Sequence, residues 1–178
     1  MQQNIGLTEG LISKKVCVLG DPAVGKTSLV IRFVDNTFNE KYVTTLGANI
    51  SRKKVQLKKH GRDVTLVLWD VCGQKEFKLT HDAAVRNSHG FIFVGDVSRK
   101  ETMGGLRYWI DTAFGVGGVR PAVILGNKSD LLENPSRFYS SELSDLSKAN
   151  NIKFFLTSAK SDKNVNDAVE SLCALLIS

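Results

Sequence analysis

Apolar residues along this chain gather into short, nearly continuous runs, and the stretches between those runs are amphipathic. Val16-Cys17-Val18-Leu19, Val64-Thr65-Leu66-Val67-Leu68-Trp69 and Phe91-Ile92-Phe93-Val94 have the length of strands and the unbroken apolar character of strands covered on both faces. The pattern predicts strands over 14–20, 49–59, 62–70, 90–96, 121–126 and 152–156. Helical spacing appears after the first strand, where Leu29, Val30 and Phe33 share a face up to about Asn36. It appears again over 76–87, over 102–114 with Met103, Leu106, Trp109 and Ile110, from Ser141 onward, and over 165–177. Gly104 and Gly105 weaken the start of the third of these helices. The runs 49–59 and 62–70 meet at His60-Gly61, a short turn that makes them an antiparallel hairpin. Strands alternating with helices over the whole length give an α/β fold: a six-stranded, mostly parallel sheet with one antiparallel strand and about five helices. Residues 1–13 are expected to be an N-terminal extension, and 14–178 a single domain.

The connection after the first strand carries chemistry. Gly20-Asp21-Pro22-Ala23-Val24-Gly25-Lys26-Thr27 fits G-x-x-x-x-G-K-S/T, with a strand before it and a helix beginning at Ser28, the setting of a phosphate-cradling P-loop. Its glycines permit a tight backbone path, successive N–H groups point inward to make an anion nest, and the helix presents its positive dipole end to the same place. Lys26 is then expected to reach the terminal phosphates and Thr27 to offer its hydroxyl to a magnesium ion. Further polar stretches also follow strands: Asp70-Val71-Cys72-Gly73-Gln74, Asn127-Lys128-Ser129-Asp130 and Thr157-Ser158-Ala159-Lys160. In an open parallel sheet the carboxyl ends of the strands share one edge, so these stretches can converge on one ligand.

Bulk composition changes this picture little. The 178 residues, 42% hydrophobic and 24% charged, suit one globular domain. No apolar run is long enough to cross a bilayer and the first residues do not resemble a signal peptide, so a cytoplasmic protein is expected, either free or held peripherally at a membrane. Cys17, Cys72 and Cys173 are an odd, widely spaced set and read as free thiols. The formal net charge of +6 raises nucleic acid or an anionic membrane as partners. No nucleic-acid motif or interleaved aromatic platform accompanies it, so no nucleic acid is expected. A basic cluster at the hairpin, Arg52, Lys53, Lys54, Lys58, Lys59, His60 and Arg62, is either solvated edge-strand charge or a docking surface for an acidic partner or anionic lipid.

Taken together, GDPAVGKT, the Thr45 loop, WDVCGQ, and NKSD with TSAK resemble the signatures of a small GTPase of the Ras superfamily, in family order over nearly the whole chain. The resemblance implies a P-loop NTPase fold and a GTP-binding molecular switch that hydrolyses GTP to GDP, with magnesium as cofactor. Lys26 would hold the β- and γ-phosphates with backbone N–H groups from Val24, Gly25, Lys26 and Thr27 around them, and Gly20, Asp21, Pro22, Ala23 and Ser28 would be the other nucleotide-binding residues of this loop. Thr27, Thr45 and Asp70 would serve the metal, the last through water. Gly73 would donate its N–H to the γ-phosphate and Gln74 would orient the attacking water, which makes Gln74, Lys26, Thr45 and Gly73 the implied catalytic set. The Asp130 carboxylate can accept from both N1–H and the exocyclic amino group of guanine, a donor pair adenine lacks. Asn127 would brace the loops, Lys128 and Phe38 would cover the faces of the base, and Ala159 N–H would read its carbonyl in a turn shaped by Ser158 and Lys160. An activating protein, an exchange factor and effectors are implied as partners.

The chain departs from the family pattern in places. Pro22 stands where many relatives carry glycine or serine, Ala23 replaces a usual glycine and Cys72 a usual alanine; a stiffer loop with one N–H fewer is expected to alter intrinsic hydrolysis. Phe38, Tyr42, Thr45-Leu46-Gly47 and Trp69-Asp70 resemble Rab proteins, whereas Ile50 and Ala84-Val85 do not. Gly73 to Phe77 and Ser98 to Thr102 are also similar to septum-initiation GTPases. The chain thus reads as Rab-like and divergent. It shows neither a Met-Gly start nor a C-a-a-X box, so either a lipidated tail lies beyond this sequence or the protein works without a lipid. A nucleotide-locked binding scaffold with little turnover is the competing reading.

Overall fold

Residues 12–39, 44–57, 61–134 and 141–178 are described by the computed structural model. Its elements are β1 Ile12–Leu19, α1 Lys26–Asp35, β2 Ala48–Leu57, β3 Arg62–Val71, α2 Lys78–Val85 and β4 Gly90–Asp96. There follow α3 Lys100–Gly104, α4 Leu106–Gly117, β5 Ala122–Asn127, α5 Ser141–Asn150, β6 Lys153–Leu156 and α6 Val165–Ile177. The strands form one six-stranded sheet in the order β2-β3-β1-β4-β5-β6. Every pairing is parallel except β2 with β3, the antiparallel hairpin expected from the sequence. Its turn, 58–60, lies outside the described residues, as do residues 1–11.

The continuous apolar runs are explained by two cores, one on each face of the sheet. Along β1, Val16 and Val18 face one core while Cys17 and Leu19 face the other; β4 divides in the same way, Ile92 and Val94 against Phe91 and Phe93. Helices α1 and α6 close the first face through Leu29, Val30, Phe33, Val169 and Leu172. Helices α2, α4 and α5 close the second through Val85, Leu106, Trp109, Ile110 and Leu146. A strand with period-two side chains and helices on both faces has no polar side left, which is why these runs do not alternate.

Boundaries differ from expectation where a strand end merges into a loop. Strand β1 starts at Ile12, two residues before the expected start at Lys14, because Ile12↔Val64 already pairs with β3. The helix expected over 102–114 is two segments, α3 and α4, meeting at Gly105. The cause is tertiary: a Cβ at Gly105 would lie 2.6 Å from Asp21 Oδ2, so the P-loop carboxylate occupies the space of a side chain. Counted as one broken helix, α3 and α4 leave five helices among the described residues.

Candidate functional site

The first core strand ends at Leu19, and the chain turns through Gly20 to Gly25 before α1 begins at Lys26. Gly25 caps that helix with φ 96°, a left-handed value that suits glycine. Lys26 projects back over the loop. Its Nζ donates to the carbonyls of Gly20 and Asp21, each at 2.9 Å, and its side chain is almost wholly buried. Burial lowers its pKa to about 8 against the pull of Asp70 and Asp21. A desolvated ammonium with only neutral carbonyls at bonding distance gains most from an anion, which suits a polyphosphate in this cradle. Gly73, at the end of the β3 loop, closes the cradle from above: a Cβ there would lie 2.6 Å from both Gly20 O and Lys26 Nζ. Only a residue without a side chain lets the two loops approach so closely.

Beside Lys26 three oxygen-bearing side chains from distant parts of the chain meet. Thr27 Oγ1 donates to Asp70 Oδ2 at 2.6 Å and lies 2.9 Å from Thr45 Oγ1. A hydroxyl has one proton, so Thr45 donates to Thr27. Asp70 is buried and its Oδ1 has no hydrogen-bond partner among the described residues. Burial pushes its carboxyl up, while the bond from Thr27, the nearby Lys26 and the Thr45 hydroxyl beside it pull it down. Two hydroxyls beside a buried carboxylate with an idle oxygen form a hard-oxygen set of the kind magnesium prefers, used directly or through water. These residues fit the expected ion.

Further along the same sheet edge, Asn127 ends β5. Its Nδ2 donates to Val24 O at 2.9 Å and its Oδ1 accepts from Ala159 N at 3.2 Å, so one buried amide ties the P-loop to the turn after β6. Ser158 Oγ donates to Asp130 Oδ1 at 2.5 Å and accepts from Ser161 N, which orients the exposed carboxylate. Lys128 Nζ bonds Ala23 O at 2.8 Å and pairs with Asp96 Oδ2 at 2.7 Å. Both Ala23 and Lys128 have left-handed φ, 60° and 64°, and each such non-glycine residue costs on the order of 1 kcal/mol. The bond between them holds two strained positions together.

A cavity of about 420 Å³ runs along this edge. Of the residues expected at the nucleotide, Pro22, Ala23, Gly25, Lys26, Thr27, Ser28, Phe38, Thr45, Gly73, Asn127, Lys128, Asp130, Ala159 and Lys160 line it, and so does Gln74. Gly20, Asp21, Val24 and Ser158 stand behind the lining: Gly20 and Asp21 supply carbonyls to Lys26, Val24 a carbonyl to Asn127, and Ser158 a hydroxyl to Asp130. Cys72 and Thr44 also line it. No arginine does so among the described residues.

Several supporting residues are not among those the sequence assigns to the site. Trp109 Nε1 donates to Asp21 Oδ1 at 2.8 Å, with Lys75 3.7 Å from the same oxygen. Asp96, buried at the end of β4, receives Lys128, Ser98 and Arg99; burial raises its carboxyl, but those bonds outweigh it and hold the pKa below the ordinary value. Its position after an apolar strand is the signal that singled out Asp70. Arg32 on α1 donates to Ala159 O at 2.7 Å and to Lys160 O at 3.2 Å, clasping the turn from below. The hairpin cluster is partly spent inside the molecule: Lys53 donates to Val34 O and Lys54 pairs with Asp63.

His81 on α2 is fully buried, 5.0 Å edge-on from Trp109, with Nε2 2.8 Å from Cys72 O and Nδ1 unpartnered among the described residues. This fits the neutral tautomer that donates from Nε2. Burial lowers its pKa from 6.5, opposed by the bond to Cys72 O. The unfolded chain therefore binds the proton first, and the stability His81 contributes is complete above about pH 6.5 and lost as pH falls toward the lower folded pKa. Denaturant titrations from about pH 7.5 to 5 should show wild type losing up to about 1.4 kcal/mol per pH unit more than His81→Gln, whose amide still reaches Cys72 O. Parallel curves would show that His81 protonates equally in both states.

A family model described as Ras family matches residues 15–177. Ras-related protein Rab-32C of Dictyostelium discoideum is 35% identical over 170 residues, covering 93% of this chain and 74% of that protein. Ras-related protein Rab-13 of Mesocricetus auratus is 34% identical over 160 residues, 89% of this chain and 77% of that protein. GTP-binding protein ypt1 of Schizosaccharomyces pombe is 33% identical over 156 residues, 86% and 75% respectively. With the phosphate cradle, the oxygen cluster and the Asn127 to Asp130 loop on one sheet edge, the chain belongs to the Ras family as a divergent, Rab-like small GTPase.

Proposed function

We propose that the protein is a GTP/GDP switch that needs magnesium and hydrolyses GTP to GDP and phosphate, slowly when alone. The observation that carries this reading is the meeting of Thr27, Thr45 and Asp70 beside Lys26, because a metal held there would tie the Thr45 loop to the bound nucleotide. GTP, through its γ-phosphate and the ion, would hold Thr45 and the Gly73-Gln74 segment; loss of the γ-phosphate would release both. Gln74 is exposed at the mouth of the cavity and stands free to orient water. Phosphoryl transfer is mostly positioning and charge stabilisation, and with no arginine among the described residues of the lining the rate unaided is expected to be on the order of 10⁻⁴ per second. An activating protein supplying that charge, an exchange factor and effectors are the expected partners. Exposed Leu46, Ile50, Phe77 and Leu79 beside the two loops give them a surface whose shape follows the nucleotide.

Among the described residues no helix is long and apolar enough to cross a membrane. Membership of the Ras family and likeness to Rab proteins support a role in membrane traffic or signalling, in the cytoplasm or peripherally at a membrane.

Identification of the co-purifying nucleotide, followed by single-turnover GTP hydrolysis with and without magnesium, tests this reading. Wild type should turn over only with magnesium, and Gln74→Leu should slow hydrolysis at least about tenfold while leaving GTP affinity nearly unchanged. GTP binding with no magnesium-dependent turnover in wild type would favour a nucleotide-locked scaffold, the reading motivated by Pro22 and Cys72. An unchanged rate in Pro22→Gly would remove Pro22 from the account.

A further inference from the structure

The nucleotide cavity lies at the carboxyl edge of the sheet. At the opposite edge, where β1, β4 and β5 begin, a second cavity of about 420 Å³ is lined by Lys14, Asn87, Ser88, His89, Arg120, Pro121, Leu175 and Leu176. It holds cationic and hydrogen-bonding groups and an apolar wall, with no carboxylate among the described residues that line it. We propose that Lys14, His89 and Arg120 form a second ligand site, for a phosphate monoester carried on an apolar stem.

The side chains are arranged for an external acceptor. His89 Nδ1 accepts from Lys15 N at 2.9 Å and His89 N donates to Lys15 O at 2.8 Å, so the imidazole is fixed to the start of β1 with its proton on Nε2. Arg120 Nε donates to Gly117 O at 3.2 Å, which anchors the base of the guanidinium and leaves the forked end for a partner. Neither Lys14 nor Arg120 has a carboxylate partner among the described residues. Lys15 differs: its Nζ donates to Arg86 O at 2.7 Å and sits 4.2 Å over the Trp69 ring, so it buttresses the site. Burial, then the charges of Lys14 and Arg120, lower the His89 pKa against the opposing hydrogen bond with the Lys15 backbone, in keeping with the positive charges that line this cavity. Such crowding is unfavourable by itself and turns favourable when an anion enters. Pro121, Leu175 and Leu176 form the remaining wall, and Leu175 is 41% exposed, so an apolar stem would cover surface now open to water.

The GDP- and magnesium-loaded protein tests this by NMR, following the His89 ring and the Lys14 and Arg120 amides. The probes are inorganic phosphate, dihexanoyl phosphatidic acid below its micelle concentration, and phosphatidylcholine vesicles with or without phosphatidic acid. Saturable shifts at these residues are expected, with affinity about tenfold or more weaker in Lys14→Gln/Arg120→Gln and unchanged in Lys148→Gln/Lys153→Gln, which removes the same charge elsewhere. GDP affinity, unchanged in both double variants, verifies the fold and keeps this result separate from the nucleotide reading. Saturation by the soluble probes without vesicle retention identifies a soluble phosphate ester as the source. Retention on phosphatidic acid vesicles that depends on Lys14 and Arg120 identifies a lipid headgroup. Absence of saturable shifts with every probe, or equal weakening in the two double variants, overturns the proposal.

Discussion

Asp130→Ala should lower guanine-nucleotide affinity by roughly 10² to 10⁴ while leaving the fold intact. The carboxylate is exposed at the end of the cavity and oriented by Ser158 Oγ at 2.5 Å, so it is prepared to accept two hydrogen bonds from one base edge. Hydrogen bonds to a charged group contribute about 1.5 to 3 kcal/mol each, and two of them account for that range. Asp130 accepts one internal bond, from the buried Ser158 hydroxyl, so the melting temperature of the nucleotide-saturated variant should fall by the lost linkage to ligand and by about 1 kcal/mol for that bond. Adenine nucleotides, bound poorly at the start, should lose little. Titration of fluorescent GDP and of its adenine counterpart checks this; equal losses for both bases would mean that Asp130 serves the phosphates or the loop and does not read the base.

Trp109→Ala should be the most destabilising single change here, by about 3 to 5 kcal/mol. The indole is fully buried in the core between the sheet and α2, edge-on to His81 and Tyr108, and its Nε1 donates to Asp21 in the P-loop. Truncation combines a large cavity with the loss of that donor, and for a domain of this size corresponds to a fall of about 6 to 20 °C in Tm. Trp109→Phe separates the two effects. It retains most of the volume and removes only the hydrogen bond, so it should cost about 1 to 2 kcal/mol and act chiefly on nucleotide affinity, through a less constrained Asp21. Urea unfolding of the three proteins measures the first quantity and GDP dissociation the second. A Trp109→Phe variant with wild-type dissociation would show that the P-loop does not need this tether.

Thr27, Thr45 and Asp70 show what the sequence makes legible. They span 43 residues, yet Thr27 follows the loop after β1, Asp70 stands at the end of β3 and Thr45 comes just before antiparallel β2, positions that this sheet gathers at one edge. The two-faced burial of β1 and β4 was equally readable, since an unbroken apolar run has only one structural use at that length. The break at Gly105 was not. The glycine pair announced a weak helix, but the reason is the carboxylate of Asp21, brought there by a tertiary approach that no local pattern encodes. Trp109 looked like an ordinary core aromatic, because helical periodicity reports that a side chain is buried and says nothing of where its one N–H points. Asp96 ends an apolar strand as Asp70 does, but its pairing with Lys128, which arrives from the loop after β5, is a tertiary contact that no local pattern encodes.

The clasp made by Arg32 has a mechanical consequence. Helix α1 begins with Lys26 and Thr27 at the phosphate end of the cavity, and from two turns further on the same rod holds the carbonyls of Ala159 and Lys160 at the base end. A helix rises about 1.5 Å per residue and hardly stretches, so α1 acts as a caliper whose jaws are the cradle and the base-reading turn. The gap between those jaws is set by covalent geometry, whatever the loops at Thr45 and Gly73 do. A ligand is therefore measured for length as well as read for chemistry.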